Sequence, residues 1–174
     1  GLIRLTGDVF FTGHILSLFS SALLLAAAGL IFKKESLGFI SSLIMITLLL
    51  CSNNLITAMT AVRGDILAAA LNVLGIYFAL SYNNKTFRIV FSSLLFSLTV
   101  MTKITSIYGI TAVVLWLFLN DKKRDALKFV GIFAGFTLLF TAAIQVLSSG
   151  RLLDLFTMCA YGGQLSASIS RVPS

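Results

Sequence analysis

Residues 62–80 read VRGDILAAALNVLGIYFAL, an apolar run of helix length with an arginine and an aspartate at its head. A helix needs roughly 20 apolar residues to cross the hydrocarbon core of a bilayer, and this run comes close to that length. The whole chain has a similar character, with 58% hydrophobic and 11% charged residues and a mean hydropathy of +1.02. Such values are far from those of soluble domains, so the sequence predicts an integral membrane protein.

Apolar runs recur along the chain and are separated by short segments that hold charges or clusters of Asn, Gly and Ser. They predict an all-α fold, a polytopic transmembrane helix bundle of about six spans, of which the second and fourth are short for a full crossing. The predicted spans are residues 11–32, 37–50, 66–82, 87–102, 104–119 and 126–147.

The predicted spans divide the chain into two parts. Residues 1–147 are expected to form the transmembrane region, and residues 148–174 an outer-face loop or the start of a further helix. The chain begins at Gly1 without an initiator methionine, a basic n-region or a cleavage site, so its first helix is not expected to be a signal peptide. The sequence is expected to be a fragment of a longer membrane protein.

The basic residues of the loops alternate along the predicted spans. Because cytoplasmic loops carry an excess of Lys and Arg, the loops after the first, third and fifth spans are predicted to be cytoplasmic. These loops also account for most of the net charge of +7, so the charge indicates membrane lipids as partners and not nucleic acid. Their basic residues are Lys33, Lys34, Lys85, Arg88, Lys122, Lys123, Arg124 and Lys128.

The opposite face receives fewer basic residues, placed at helix ends and mixed with acids. Asp65, in the first turn of a predicted helix, complements the positive end of the helix dipole. Arg63 gains nothing from that dipole and near a bilayer needs a carboxylate, a phosphate or water. Lys103 lies between two apolar runs with no acidic residue nearby in sequence. Either Lys103 extends to the lipid headgroups, or Arg63 and Lys103 together bind a phosphate.

The order of four sequence stretches resembles that of the GT-C membrane glycosyltransferases, including protein O-mannosyltransferase-like and aminoarabinose-transferase-like enzymes. In that family an arginine usually follows the glycine of the first stretch, an Arg-x-Asp marks the outer end of a helix, and a Thr-Lys pair precedes the next span. Here His14 stands in place of that arginine, and histidine is only partly charged near neutral pH. The stretches are GHILSLFSSALLLAA (13–27), VRGDILAAALNVLGIYFAL (62–80), LTVMTKITSIYGI (98–110) and DKKRDALKFVGIF (121–133).

The resemblance implies an enzyme that transfers a sugar from a polyprenyl-phosphate donor to a lipid, glycan or protein acceptor, at the non-cytoplasmic face of a bacterial or archaeal cell membrane. Arg63 and Lys103 would bind the donor phosphate, with Asp65 and His14 as supporting residues. No cofactor is implied, and no second histidine or cysteine stands at ligand spacing for a metal. The catalytic acid of the family lies in a loop that would precede Gly1, so the fragment is expected to lack it.

A different class of function stays open, namely a secondary transporter or a non-catalytic polytopic membrane subunit. Transporters often carry Gly or Pro interruptions near the midplane in corresponding halves, and the sequence has no such pair. Two strongly polar amides, Asn72 and Gln145, lie well inside predicted spans. A hydrogen bond from helix to helix explains each of them.

The predicted topology is testable with single cysteines in intact cells. A cysteine at Asn84 is expected to be shielded from membrane-impermeant thiol reagents, because the loop after the third span is predicted to be cytoplasmic. A cysteine at Asn54, in the loop after the second span, is expected to be labelled. Labelling at Asn84 alone would invert the topology.

Overall fold

Every regular element in the described part of the chain is an α-helix. The computed structural model describes residues 9–34, 36, 38–51, 65–81 and 84–150. Its helices fall at the six predicted positions, which confirms the predicted all-helical fold. They are α1 Val9–Lys34, α2 Phe39–Leu50, α3 Asp65–Ser81, α4 Lys85–Thr102, α5 Tyr108–Leu119 and α6 Lys123–Leu147.

Three of the described helices are long and apolar enough to cross a membrane: the Phe11–Lys34 part of α1, and the whole of α4 and α6. Helices α2 and α5 have 12 residues each. Twelve helical residues extend about 18 Å, against roughly 30 Å of hydrocarbon. Helix α3, with 17 residues, is also below the length required. The second predicted span is therefore short, as expected.

Helix α4 was predicted to be short but has 18 residues, because it begins at Lys85 and not at residue 87. The preceding residue, Asn84, caps the helix. Its Oδ1 accepts hydrogen bonds from the backbone N–H groups of Thr86 at 3.1 Å and Phe87 at 3.2 Å. Those N–H groups have no partner within the helix itself, so the cap fixes the start of α4 two residues earlier than the apolar run indicates.

Contacts between helix ends place the loops alternately at two ends of the bundle. Lys34 Nζ donates to the Leu80 carbonyl oxygen at 2.7 Å, which joins the C-terminal ends of α1 and α3. Lys85 Nζ lies 2.8 Å from Asp125 Oδ1, which joins the N-terminal ends of α4 and α6. Because α4 follows α3 directly, both contacts lie at the same end.

We call this the basic end, and the opposite end, where α4 gives way to Lys103, the Lys103 end. The grouping of the three basic loops at one end agrees with the sequence prediction, whereas the side of the membrane on which they lie stays a prediction. The basic end carries Lys33, Lys34, Lys85, Arg88, Lys122, Lys123, Arg124 and Lys128.

The buried ring of Phe96 joins four helices. Phe96 lies on α4 and is 1% exposed. A Cβ atom added at Gly75 of α3 would lie 2.8 Å from its ring, and one added at Gly109 of α5 would lie 2.6 Å from it. Phe129 of α6 meets the same ring edge to face, with 5.9 Å between centroids. The two glycines therefore let α3 and α5 approach the ring more closely than any larger residue would.

Small hydroxyl side chains connect α4 to α6. Ser93 Oγ donates to the Phe129 carbonyl oxygen at 3.3 Å, and Ser97 Oγ donates to the Phe133 carbonyl oxygen at 3.1 Å. Thr137 Oγ1 in turn donates to Ser97 Oγ at 3.3 Å. Small polar residues are typical of helix contacts in membranes, because they allow close approach and form hydrogen bonds where water is absent.

A second compact unit begins at Leu138, within α6. Near its described end, Gln145 Nε2 donates to the Gly150 carbonyl oxygen at 3.0 Å, and the Gly150 N–H donates to the Gln145 carbonyl oxygen at 3.0 Å. Gln145 thus helps to close the end of its own helix. Residues 151–174 lie outside the described residues, so the predicted loop or further helix there stays a prediction.

The packing around Phe96 predicts that one glycine substitution destabilises the protein and that another does not. Gly109→Ala forces a methyl group against the Phe96 ring and is expected to lower the free energy of unfolding by about 1–3 kcal/mol. Gly131→Ala is the control, because a Cβ atom there meets nothing within 4 Å. Thermal unfolding of the purified protein in detergent measures the difference. A Gly109→Ala protein as stable as the Gly131→Ala protein would contradict the close approach.

Candidate functional site

The candidate site is built around Lys103, where α4 ends. The Lys103 N–H still donates to the Thr99 carbonyl oxygen at 2.9 Å, but the residue itself is extended, with φ −154° and ψ 109°. Its side chain crosses to the start of α3, where Lys103 Nζ lies 2.6 Å from Asp65 Oδ1. These two residues are 38 positions apart in sequence.

Asp65 is the first residue of α3, so its carboxylate lies at the positive end of the helix dipole. The Lys103 side chain is 43% exposed and that of Asp65 is 39% exposed. An ion pair exposed to this degree contributes at most about 1 kcal/mol to stability in water. The pair is therefore accessible to a ligand and is not a main support of the fold.

The loop that follows Lys103 is held in place by Asn72, a fully buried residue of α3. Asn72 Nδ2 donates to the Ser106 carbonyl oxygen at 3.2 Å, and also to the Ala68 carbonyl oxygen of its own helix at 3.2 Å. The Ser106 N–H donates to the Lys103 carbonyl oxygen at 3.0 Å. A single buried amide thus fixes the backbone directly after the lysine.

The other amide atom of Asn72 has no hydrogen-bond partner within the described residues. A Cβ atom at Gly109 would overlap Asn72 Oδ1, so the α-carbon of Gly109 lies against this oxygen. Contacts between a Cα–H group and an oxygen are weakly favourable and only partly offset the loss of a full hydrogen bond. The buried amide therefore has two effects: its oxygen lowers the stability of the fold, and its nitrogen anchors the loop.

The structure brings two of the predicted site residues together. Lys103 and Asp65 form the ion pair. His14 is exposed in the second turn of α1, a helix that also begins at the Lys103 end. Arg63 lies outside the described residues, two positions before Asp65 in sequence.

Sequence reasoning missed both the partner of Lys103 and the anchor of its loop. Asn72 was expected to bond from helix to helix, and it bonds instead to the α4–α5 loop. A useful signal was present, because a buried asparagine must find a partner and Ser106 lies at a break between two apolar runs.

Within residues 9–34, 36, 38–51, 65–81 and 84–150, no three His, Cys, Asp or Glu side chains are grouped as a metal site. No protein-family model, curated protein or solved structure matches this chain. An interpretation of its function therefore depends on the chemistry of the Lys103 end.

Two substitutions separate the accessible ion pair from its buried support. Asp65→Asn is expected to lower the free energy of unfolding by less than about 1 kcal/mol, because the pair is exposed. Asn72→Ala is expected to lower it by about 1–3 kcal/mol, since it leaves the Ser106 carbonyl without its donor. Thermal unfolding in detergent compares the two. If Asp65→Asn were the more damaging change, the pair would be a structural element and not an accessible one.

Proposed function

We propose that this chain is part of a membrane glycosyltransferase of GT-C type, which transfers a sugar from a polyprenyl-phosphate donor to an acceptor at the non-cytoplasmic membrane face. Arg63 and Lys103 bind the donor phosphate, and Asp65 positions Lys103. The observation that carries the proposal is the half-exposed ion pair of Lys103 and Asp65, at the end of the bundle opposite the basic loops.

The ion pair is compatible with phosphate binding. An ammonium group has three donors, and the bond to Asp65 uses one of them. Arg63 and Lys103 carry two positive charges and Asp65 carries one negative charge, so one positive charge is left in excess. A phosphodiester carries a single negative charge, which this excess balances.

The same residues supply what the reaction requires. When the bond between the sugar and the phosphate breaks, negative charge develops on the departing polyprenyl phosphate. Positive donors that are already in position stabilise this charge best where water is scarce. The Asn72 anchor contributes here, because it holds the backbone beside Lys103 before the donor binds.

Helix geometry also supports a lipid-linked donor. Lys103 lies at the end of α4, a helix long and apolar enough to cross a membrane. Exposed apolar residues follow it in the chain, including Ile104, Ile107 and Tyr108. A polyprenyl chain would find apolar surface beside the charged group that binds its phosphate. His14 belongs to the site only as a supporting residue, and no residue of this chain is assigned as the catalytic base.

The test is the release of polyprenyl phosphate from a labelled polyprenyl-phosphate sugar by the full-length protein in detergent. Lys103→Ala and Arg63→Ala are each expected to slow release by about 10²-fold, the usual loss when one donor to a developing negative charge is removed. Lys33→Ala, which removes an exposed lysine at the basic end, is the control and is expected to leave release unchanged.

The outcomes separate the candidate functions. Normal release in both the Lys103→Ala and Arg63→Ala proteins would remove these residues from the donor site. The absence of release from folded wild-type protein, across a panel of donors and acceptors, would favour a secondary transporter or a non-catalytic membrane subunit.

A further inference from the structure

A groove of about 220 Å³ opens between α4 and α6 at the basic end. Its polar lining consists of two lysines, one from each helix, and Thr86. Its wall is aliphatic. The residues that line it are Lys85, Thr86, Ile89, Val90, Lys128 and Ile132.

The charge of the groove is not balanced within the described residues. Lys85 pairs with Asp125, whose side chain is only 8% exposed. Lys128 and Arg88 also lie within electrostatic reach of that carboxylate. Three positive charges therefore surround one negative charge. The two charges in excess favour an anionic ligand.

Helix direction adds to this positive field. Both α4 and α6 begin at the basic end, so the positive ends of two helix dipoles lie beside the groove. Asn84 already occupies the first free N–H groups of α4, with bonds to Thr86 and Phe87. A ligand would therefore contact the lysine ammonium groups and the Thr86 hydroxyl more readily than the helix backbone.

The surroundings of the groove indicate a lipid and not a soluble anion. Ile89 and Ile132 continue the groove along the helices away from the lysines. Val90, which also lines the groove, is 37% exposed. A positive head above an exposed apolar surface matches the two parts of a phospholipid.

We propose that this groove binds an anionic phospholipid, with its phosphate between Lys85 and Lys128 and an acyl chain along Ile89 and Ile132. The volume of the groove is smaller than the roughly 300–1,000 Å³ of pockets that enclose a drug-sized ligand, so it holds the headgroup and the start of one acyl chain while the rest of the lipid stays in the bilayer. The lipid bridges the starts of α4 and α6 and adds to the Lys85–Asp125 contact.

The experiment is native mass spectrometry of the full-length protein, after incubation in detergent with equal amounts of phosphatidylglycerol and phosphatidylcholine. Wild-type protein is expected to retain phosphatidylglycerol in preference. Lys128→Gln is expected to weaken this retention about fivefold, which corresponds to the contribution of one basic residue to anionic lipid binding. Lys128→Arg keeps the charge and is expected to retain the lipid.

The matched control is Lys123→Gln, which removes one exposed lysine from the same helix outside the groove. Its retention is expected to stay within about twofold of wild type, because its attraction to the lipid is long-range and screened. Equal losses in the Lys123→Gln and Lys128→Gln proteins would overturn the groove as a site.

Two further results would overturn the proposal. The first is equal retention of phosphatidylcholine and phosphatidylglycerol by wild-type protein. The second is displacement of phosphatidylglycerol by soluble glycerol 3-phosphate at matched concentration, which would assign the groove to a free phosphate. Melting temperatures of all variants confirm that each compared protein is folded.

Discussion

The close approach of α3 and α5 to the Phe96 ring is the constraint on which the rest of the described bundle depends. Lipid tails are as apolar as the side chains they surround, so helices in a bilayer associate through tight packing and hydrogen bonds. Gly75 and Gly109 permit that packing here. Gly109 is the second residue of α5, just after the loop that Asn72 anchors. The packing of the ring therefore also determines where the backbone beside Lys103 lies.

Among the described residues, each end of the bundle has one lysine–aspartate pair, and the two pairs differ in burial. The Asp125 side chain is 8% exposed and that of Asp65 is 39% exposed. The first pair joins the starts of α4 and α6, and its carboxylate is the more buried of the two. The second pair is half-exposed at a helix end, so both of its members are accessible. The same chemistry thus serves structure at one end and accessibility at the other.

Much of the fold could be predicted from the sequence, because long apolar runs leave little choice but helix and basic loops alternate with them. Local chemistry set the details, as at Asn84, whose cap extends α4 beyond its apolar run. The pairing of Lys103 with Asp65 could not be predicted, since it joins residues 38 positions apart through the packing of α3 against α4. The alternation of the loops placed both residues on the same face of the membrane but gave no distance between them. The groove at Lys85 and Lys128 was not predicted, because both lysines were already explained as basic residues of cytoplasmic loops.

A lysine side chain binds an anion more weakly when it is free to move, because its flexible stem loses conformational freedom when the ammonium group is fixed. At the Lys103 end two contacts restrict the lysine in this way. Asn72 holds the backbone through Ser106, and Asp65 holds the ammonium group. Asn72 Oδ1 is buried and has no hydrogen-bond partner among the described residues, which lowers the stability of the fold. A cost of this kind is expected where the position of a charged group matters more than the last increment of stability.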